Sequence, residues 1–418
     1  MAEKRIVLSK CGVVDPLNIE KYLARGGLKA LVKARDKMKP KAIIEEIKKS
    51  GLTGRGGAGY PCGLKWELAR NTKAKTKYLI CNADEGEVGA FKDKYILSHD
   101  PFGLIEGICI AGLAIGARQA YIYLRSEYHS LNSLIVSAIE QVRSKSYLNE
   151  MDIQVFEGAG AYICGEESAL MNSIEGRRGE SRYKPPYPPT CGLWDKPTII
   201  NNVETLMNIP HIIDKGAGWF SAMGTGRSRG TKVFSVSGDI ARPGVYEMEM
   251  GSPLKELVVG QAGATDVKAV QIGGATGNII PGYMIDTPLS NETFLGSGAV
   301  VVFNSTRDII DIVYNDMRFL SEESCGKCTP CREGTEVMLE ILGRLTRGEG
   351  EAGDISKLED LARAMALASL CGLGQAAAVP VLDSLKYFRD EYTDLIDQSL
   401  FLRSYLGSEI YKSEEVVI

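Results

Sequence analysis

The chain is 418 residues long, with 44% hydrophobic residues, 49 Lys and Arg against 53 Asp and Glu, and ten cysteines. A chain of this length can hold about two to four domains with hydrophobic cores of their own. Its net charge of −4 gives no reason to expect nucleic acid or an anionic membrane as a partner, and because no signal peptide opens the sequence, we expect a cytoplasmic protein with reduced cysteines.

The first 50 residues carry two runs with apolar residues at helical spacing, and the second run ends at Gly51, a typical C-cap residue. We therefore predict an N-terminal helical segment over residues 1–50. In a following domain, 51–229, compact apolar strands alternate with helical stretches, which is typical of an α/β fold with a parallel or mixed sheet. The predicted strands are Tyr78–Cys81, Ala120–Leu124 and Ile153–Phe156, and the predicted helices lie near 102–117, 130–145 and 165–175.

The longest apolar stretch, Phe102–Ala117, contains Glu106 and stops at Arg118. It is shorter than a bilayer span and carries a charge within it. We therefore expect a helix packed on the sheet and no direct membrane insertion.

Two further domains are predicted after a proline-rich loop, Lys184–Pro197, which cannot form regular helix or a central strand. Over residues 230–304 the order strand, strand, helix, strand, strand suits a β-grasp domain. Over residues 305–418 apolar residues recur at spacings of three and four, which predicts a helical bundle.

Cysteines in the last predicted domain carry the strongest chemical signal. Cys325, Cys328 and Cys331 stand two residues apart in S-C-G-K-C-T-P-C-R, and Cys371 follows in L-C-G-L-G. Three thiolates at this spacing can ligate one cube while a distant fourth binds the last iron, so the pattern predicts a [4Fe-4S] cluster. A zinc site or a disulfide pair are the alternatives, although zinc usually takes its ligands as two separated pairs.

A glycine-rich loop, G-R-G-G-A-G-Y, places Gly54, Gly56 and Gly59 at the spacing G-x-G-x-x-G. Glycines at this spacing let backbone N–H groups approach phosphate oxygens. The loop follows a helix instead of a strand, so the ordinary dinucleotide fingerprint does not strictly apply. A tight turn that needs glycine explains the loop equally well.

Two acidic loops follow predicted strands. C-N-A-D-E-G-E-V-G at Cys81–Gly89 and G-A-G-A-Y-I-C-G-E-E-S-A-L at Gly158–Leu170 both place carboxylates at a strand end, where open α/β sheets bind ligands. Carboxylates there can accept hydrogen bonds from sugar hydroxyls, and two such loops indicate one crevice. N-N-V-E-T at Asn201–Thr205 adds amides suited to a flavin, or to a helix N-cap.

Six motifs, taken in order, resemble a single family. G-R-G-G-A-G-Y-P-C-G-L-K-W, N-A-D-E-G-E, G-A-Y-I-C-G-E-E-S-A-L, K-P-P-Y-P, I-N-N-V-E-T and E-S-C-G-K-C-T-P-C-R resemble the flavin-carrying NADH-binding subunit of respiratory complex I. The same subunit type recurs as the beta subunit of NAD-linked, electron-bifurcating [FeFe]-hydrogenases and in NAD-linked formate dehydrogenases. The resemblance implies a Rossmann-like FMN and NADH domain, a ubiquitin-like β-grasp domain that binds soluble ligands, and a helical bundle carrying the cluster.

The resemblance also assigns site residues. FMN would be bound by Gly54, Arg55, Gly56, Gly57, Lys65, Asn82, Asp84, Glu85, Tyr162, Gly165, Glu166, Asn201, Asn202 and Thr205. NADH would be oriented by Glu87 and Glu167, with Tyr60, Lys184 and Tyr187 around it. No residue is required as an acid or base, because the flavin carries the hydride transfer. The cluster ligands would be Cys325, Cys328, Cys331 and Cys371.

The function implied is reversible hydride transfer between NAD(H) and FMN, then single-electron transfer to the cluster and on to partner subunits. The implied partners are a thioredoxin-fold [2Fe-2S] subunit and a larger iron–sulfur subunit of hydrogenase or formate dehydrogenase type, so we expect a hetero-oligomer. Residues 6–22 resemble bacterial hydrogenase subunits, which places a soluble NAD-linked hydrogenase first, formate dehydrogenase second and complex I third. An alternative of another class is a non-catalytic ligand-binding protein with a structural cluster, which would not need the glycine loop or the paired glutamates.

Overall fold

The computed structural model describes residues 3–148 and 150–414, and the chain divides into two compact units. Unit 1 comprises the chain up to Thr265 together with Gln271–Gly274 and Tyr283–Val302. Unit 2 comprises Asp266–Val270, Ala275–Gly282 and the chain from Phe303 onward. The four predicted domain ranges are finer than this division and stay predictions.

Unit 1 opens with the helices α1 Ile19–Ala24, α2 Lys29–Lys37 and α3 Pro40–Ser50. The Asn18 side chain caps α1 by accepting the N–H groups of Glu20 and Lys21. Gly51 ends α3 in the left-handed region, with φ at +69°. Helices are therefore present where the sequence predicts them.

The main sheet of unit 1 is parallel. Its strands are β1 Tyr78–Ala83, β2 Gln119–Leu124, β3 Asp152–Glu157 and β4 Thr198–Asn202, in the order β3-β2-β1-β4. The first three strands match the prediction. Strand β4 was not predicted, because it has only five residues, begins directly after Pro197 and ends in two asparagines.

Helices stand before, between and after the strands of this sheet. They are α4 Cys62–Asn71, α5 Lys92–His99, α6 Pro101–Ile115, α7 Asn132–Ser144, α8 Glu167–Ile174, α9 Val203–Lys215 and α10 Ala217–Ser221. The apolar helix α6 is buried along nearly its whole length. Within the described residues no single helix is long and apolar enough to cross a membrane; the pair α5 and α6, bent by 98°, meets the length and hydropathy criteria only when taken together.

Glu106 is the one charge inside the apolar stretch, and it attaches the N-terminal helices to α6. Its carboxylate accepts hydrogen bonds from the Tyr22 hydroxyl at 2.8 Å and from the Leu28 and Leu31 N–H groups at 3.1 Å. The two N–H groups belong to the start of α2, where an anion is favoured by the helix dipole. The buried glutamate is therefore a helix cap supplied by another element.

A second sheet contains β7 Thr231–Gly238, β8 Gly244–Glu249, β9 Ala269–Ile272, β10 Asn278–Pro281 and β11 Ala299–Phe303, in the order β10-β9-β11-β7-β8. A hairpin of β5 Gly224–Thr225 and β6 Ser228–Arg229 precedes it. Strand β7 pairs antiparallel with β8 and parallel with β11, and a π-helical segment, Glu256–Gln261, joins β8 to β9. The predicted strand order is thus extended by β10, which is only four residues long.

Unit 2 is helical after β11. Its helices are α11 Ile309–Glu322, α12 Thr329–Thr346, α13 Asp354–Ala368, α14 Gly372–Ala376, α15 Val379–Tyr387 and α16 Arg389–Glu414. The Asp308 side chain caps α11 by accepting the Ile310 and Asp311 N–H groups at 2.7 and 3.1 Å. The helical character predicted for this part of the chain is therefore observed.

Candidate functional site

The carboxyl ends of β1 and β4 form the switch point of the parallel sheet. From β1 the chain continues to β2 and β3 on one side, and it returns to β4 on the other side of β1. The register pairs Asn82 with Asn202 and Cys81 with Asn201. Because open α/β sheets bind ligands in the crevice at such a point, the paired asparagines mark the candidate site.

The glycine loop is closed by a hydrogen bond from the Gly54 N–H group to the Tyr60 carbonyl at 2.9 Å. A Cβ atom at Gly56 would lie 3.0 Å from Cβ of Asn202, so the loop runs close against the end of β4. Gly57 and Gly59 have φ angles of +121° and +62°, which other residues rarely adopt. The loop therefore needs glycine for its backbone shape and for its approach to the crevice.

Arg55 belongs to the wall of the crevice and not to its open face. Its side chain is fully buried, and its Nη1 group donates to Thr53 Oγ1 at 2.8 Å, while Nη2 donates to the Arg229 carbonyl. Its backbone N–H group donates to the Thr205 hydroxyl at 2.8 Å. Arg55 and Thr205 thus hold the glycine loop, and Arg55 can face a ligand only through its backbone.

The first acidic loop is tied to the second through Asn82. The Asn82 Nδ2 group donates to the Gly165 carbonyl at 2.9 Å, and its Oδ1 atom accepts the Asp84 N–H group at 3.0 Å. The loops after β1 and β3 therefore meet at one place, as the sequence analysis expected.

Glu85 lies in the same loop, but its carboxylate is used as a helix cap. It accepts the Asp93 and Lys94 N–H groups of α5 at 2.9 and 3.0 Å and the Tyr128 hydroxyl at 3.1 Å. Burial, and then the Asp93 carboxylate, raise the pKa of Glu85 to about 7. Glu85 therefore positions the loop from behind.

Glu166 is the N-cap residue of α8 and is held by hydrogen bonds on both carboxylate oxygens. Its Oε2 atom accepts the Ser168 and Ala169 N–H groups at 3.0 Å, which caps the helix. Its Oε1 atom accepts from Lys184 Nζ at 2.8 Å. The cap fixes the start of the helix and therefore the direction in which the side chain of the next residue, Glu167, projects.

Glu167 is held between two lysines. Lys65 Nζ lies 2.8 Å from its Oε2 atom and also donates to the Ile200 carbonyl, while Lys184 Nζ lies 3.1 Å from its Oε1 atom. Burial raises the pKa of Glu167, but Lys65 and then Lys184 outweigh it and lower the pKa to about 2. Glu167 is therefore ionised at neutral pH.

The two asparagines at the end of β4 differ in their partners. Asn201 Oδ1 accepts the Trp66 indole N–H group at 2.9 Å. Asn202 caps α9 by accepting the Glu204 N–H group at 3.0 Å, and its Nδ2 group donates to Asp93 Oδ2 at 2.6 Å. Both side chains are therefore fixed before any ligand enters.

Glu87 is placed by a tyrosine and two glycines. Its Oε2 atom accepts the Tyr162 hydroxyl at 2.9 Å. A Cβ atom at Gly86 would lie 2.9 Å from the Tyr162 ring, and one at Gly274 would lie 2.3 Å from the Glu87 side chain. Glu87 thus occupies space that Gly274 leaves open, and Gly86 leaves room for the tyrosine that holds it.

The aromatic residues predicted for the NADH site, Tyr60 and Tyr187, are 50% and 56% exposed. They are among the large apolar side chains that unit 1 leaves open to solvent. Rings of this kind are suited to stacking on a flat ligand group.

Turns of the second sheet reach this crevice, which the sequence analysis missed. Beside Gly274, the backbone of Ser297 would lie 3.7 Å from a Cβ atom at Gly57, and Asn291 Oδ1 would lie 3.1 Å from one at Gly59. The sequence does contain glycine-rich turns at these places, I-G-G-A-T-G and L-G-S-G. Their spacing carries no hint that they approach Glu87 and Gly57, which lie 187 and 240 residues earlier in the chain.

The predicted cluster cysteines gather in unit 2. Burial, and then the neighbouring Cys328, Cys371 and Cys325 thiols, raise the pKa of the Cys331 thiol to about 11, although the Ser324 hydroxyl lowers it. A Cβ atom at Gly374 would lie 2.8 Å from Cβ of Cys331, so α14 packs directly on this cysteine.

Two of these cysteines stand at helix N-termini, where a thiolate is favoured. Cys328 precedes α12 and Cys371 precedes α14, and the Leu370 N–H group donates to Cys328 Sγ at 3.5 Å. Among the described residues no three His, Cys, Asp or Glu side chains are grouped so that they could hold a single metal ion. A cube takes one thiolate at each iron, so its four ligands stand around the cube and not around one point.

The residues present fit the implied groups. The glycine loop leaves a backbone-lined cradle beside Asn202, as a flavin phosphate or ring edge requires. The four thiols, with an N–H group directed at one sulfur, supply the donor set of an iron–sulfur cluster.

Two protein-family models match parts of the chain. Residues 47–211 match the Nuo51 FMN-binding domain, and residues 311–395 match the NADH-ubiquinone oxidoreductase-F iron–sulfur binding region. The first match includes the glycine loop, both acidic loops and β4. The second includes the four cysteines.

Curated relatives match over nearly the whole chain. An NADH-quinone oxidoreductase subunit of Rhizobium meliloti is 41% identical over 94% of this chain and 98% of its own length. The NADP-reducing hydrogenase subunit HndC of Solidesulfovibrio fructosivorans is also 41% identical, over 94% of this chain and 84% of its own. The crystal structure of a NAD+-reducing [NiFe]-hydrogenase in the H2-reduced state superposes with a TM-score of 0.86 at 38% identity, covering 95% of this chain and 67% of that one.

Proposed function

Because the chain carries a Nuo51 FMN-binding domain and belongs to the family of its NADH-quinone oxidoreductase relative, we propose that FMN binds at the switch point of β1 and β4. Family membership confirms the resemblance found in the sequence, the α/β fold class, FMN and a [4Fe-4S] cluster as cofactors, and NADH as substrate. The chain is a flavin iron–sulfur oxidoreductase subunit, so the enzyme prediction is confirmed over the non-catalytic alternative.

One observation carries the proposed FMN position. Asn82 and Asn202 are register partners at the ends of adjacent strands, and the glycine loop and both acidic loops converge on them. The backbone of Gly54, Gly56 and Gly57 would hold the phosphate and ring edge, and the amides would hold the remaining polar atoms. Bound FMN supplies the change from two-electron to one-electron chemistry.

Residues of the predicted FMN set divide into two groups in this proposal. Lys65, Asn82, Asp84, Tyr162, Gly165, Glu166, Asn201 and Asn202 would line the crevice. Arg55, Glu85 and Thr205 would shape it from behind, because their side chains are occupied in the wall.

NADH would bind on the open side of the crevice. Glu87 and Glu167 would accept hydrogen bonds from ribose or carboxamide groups, and Tyr60, Lys184 and Tyr187 would surround the outer part of the nucleotide. The carboxylates oppose the added phosphate of NADPH, so we expect a preference for NADH. Because no side chain is needed to transfer a proton, the work of these residues is orientation and exclusion of water.

The cluster would be ligated by Cys325, Cys328, Cys331 and Cys371. Relatives of the chain are subunits of larger enzymes, which supports a hetero-oligomer. We propose a thioredoxin-fold [2Fe-2S] subunit and a larger iron–sulfur subunit as the next electron carriers.

No disulfide joins any of the ten cysteines, all of which the structure describes, and a reducing compartment such as the cytoplasm fits this state.

A soluble NAD-linked hydrogenase is the parent enzyme that we propose first. The likeness to the NAD+-reducing hydrogenase extends over 95% of this chain, and HndC is a hydrogenase subunit. The equally similar NADH-quinone oxidoreductase relative of Rhizobium meliloti supports the complex I alternative, and formate dehydrogenase remains the other alternative.

The experiment is anaerobic reduction of the purified chain with its iron and flavin. We expect NADH to bleach the flavin absorbance rapidly, NADPH to do so much more slowly, and ferricyanide to be reduced. Asn82→Ala should lose FMN, whereas Asn315→Ala, on the exposed side of α11, should keep it. Full FMN retention in Asn82→Ala would contradict the proposed position, and co-purifying subunits identify the parent enzyme.

A further inference from the structure

Lys232 of β7 is a fully buried lysine close to the proposed flavin crevice. Its Nζ group donates to Glu204 Oε2 at 2.7 Å, to the Val233 carbonyl at 2.8 Å and to the Ser297 carbonyl at 3.1 Å. An ammonium group has three donors, and here all three have acceptors. The position of the group is therefore fully determined.

Glu204 connects this lysine to the end of β4. Its Oε1 atom accepts the Val233 N–H group at 2.8 Å, and its Oε2 atom also lies 3.0 Å from Lys92 Nζ. Burial raises the pKa of Glu204, but Lys232 and then Lys92 outweigh it, so the carboxyl is held ionised. The carboxylate is thus shared by two buried cations.

The connections close into a ring around Asn202. Lys92 Nζ lies 2.7 Å from Asp93 Oδ1, and Asp93 Oδ2 accepts from Asn202 Nδ2 at 2.6 Å. Asn202 Oδ1 in turn accepts the Glu204 N–H group at 3.0 Å. One end of the Asn202 amide therefore bonds to the buried Asp93 carboxylate, and the other end bonds to the backbone of Glu204, whose side chain holds Lys232.

The same lysine also reaches the glycine loop. The Ser297 carbonyl that it holds belongs to the turn that packs against Gly57. We infer that Lys232 is a positioning residue for FMN, which sets the Asn202 amide through Glu204 and the glycine loop through Ser297. This inference rests on the FMN position proposed above.

In this buried cluster Lys92 and Lys232 face Asp93 and Glu204. Burial lowers the pKa of Lys232 to about 7, and the Glu204 carboxylate opposes that effect. Removing one partner of a buried ion pair leaves an uncompensated charge. The side chain that carries this charge then changes position or draws water into the core. Lys232→Met should therefore displace the Asn202 amide and weaken FMN binding, although the lysine itself does not line the crevice.

The test measures FMN affinity and the visible circular dichroism of the bound flavin in the purified protein. We expect Lys232→Met and Glu204→Gln each to weaken FMN binding by about tenfold or more, the loss typical of a charged hydrogen bond. Because Lys232 and Glu204 act through the same ion pair, the double variant should bind FMN no more weakly than the single variant with the lower FMN affinity. If Lys232→Met does not fold, FMN affinity is measured for the double variant of Lys232→Met and Glu204→Gln, which removes one charge of each sign. Weaker FMN binding supports the inference, and unchanged binding overturns it.

Lys77→Met is the matched control. Lys77 is also a buried lysine, but it directly precedes β1, at the amino end of the strand and away from the crevice at its carboxyl end. It donates to the Ala69 and Arg70 carbonyls and has no carboxylate partner in these bonds. It should lower thermal stability and leave FMN affinity unchanged. If Lys232→Met behaves like Lys77→Met, the inference is overturned; if the unchanged protein itself binds no FMN at this crevice, the proposed site fails instead.

Discussion

Glu87 is the predicted NADH contact whose position depends most on other residues. Its carboxylate accepts the Tyr162 hydroxyl at 2.9 Å and packs against Gly274. A carboxylate on a loop would otherwise sample several rotamers, with a corresponding entropy cost on binding. The tyrosine and the glycine therefore prepare Glu87 for its ligand.

Tyr162→Phe removes this hydroxyl and keeps the ring. We expect KM for NADH to rise about fivefold, because one hydrogen bond is worth about 1 kcal/mol. FMN content should stay the same, since the backbone and ring remain. Tyr283→Phe, at a side chain that is 77% exposed, serves as control. An unchanged KM would show that the hydroxyl does not position Glu87.

Glu167 makes acid stability depend on the lysines of the site. Its pKa in the folded chain is about 2, below its ordinary value of 4.5, so its stabilising contribution is complete above pH 4.5 and is lost as the pH falls toward 2. The stability advantage of the unchanged protein over Glu167→Gln should narrow by about 2 kcal/mol between pH 6 and pH 3, measured by urea unfolding. The exposed Glu150→Gln should show no such trend, and an equal trend in both variants would refute the assignment.

At the scale of elements, the turns of the second sheet complete the crevice of the first. Gly274 follows β9, and Ser297 precedes β11. Each lies against a segment that the parallel sheet supplies, Glu87 in one case and Gly57 in the other. Shape at the site is therefore set by backbone from both sheets, which explains why glycine occupies these positions.

Gly274→Ala tests this contact. The residue has φ at +76°, and an added Cβ atom would lie 2.3 Å from Cγ of Glu87, so the glutamate must move. We expect KM for NADH to rise about 10- to 100-fold, the usual cost of misplacing a binding group by about 1 Å. FMN content should be retained.

Gly260→Ala is the control for this change, because its Cβ atom would meet open space. Steady-state kinetics with NADH and ferricyanide compare the two variants. Equal KM values would mean that Glu87 does not need the space beside Gly274.

At the scale of the whole molecule, the residues predicted to hold the two cofactors fall in separate compact units. Unit 1 carries the predicted FMN and NADH residues, and unit 2 carries the four cysteines. Hydride chemistry and one-electron transfer are thus assigned to different parts of the chain, and a change in one part should leave the other measurable.

Cys371→Ser separates the two. We expect loss of the cluster signal in electron paramagnetic resonance and loss of iron and acid-labile sulfide, because the last iron loses its thiolate. Bleaching of the flavin by NADH should persist. Cys191→Ser, outside the cysteine group, should keep its iron. Full iron content in Cys371→Ser, or zinc in place of iron in the unchanged protein, would contradict the cluster assignment.

Much of the chemistry could be predicted from the sequence because contiguous motifs carry it. The spacing of Cys325, Cys328 and Cys331 and the glycine loop are local patterns, and the strands Tyr78–Cys81 and Ala120–Leu124 are compact apolar runs. Local geometry alone determines what such segments can do. The [4Fe-4S] cluster and the α/β fold class followed from them, whereas FMN and NADH followed from the resemblance of six motifs to one family.

Other features were decided only by the tertiary structure. The five-residue strand β4 has too few residues for a periodic pattern, yet its place beside β1 creates the switch point. Of two neighbouring glutamates, Glu85 became a helix cap and Glu87 turned toward Gly274, a choice made by α5 and by a turn nearly 190 residues away. Lys232 and Glu204 likewise meet only after folding. Contacts between distant segments leave no periodicity in the sequence, because they are selected by the packing of the complete fold.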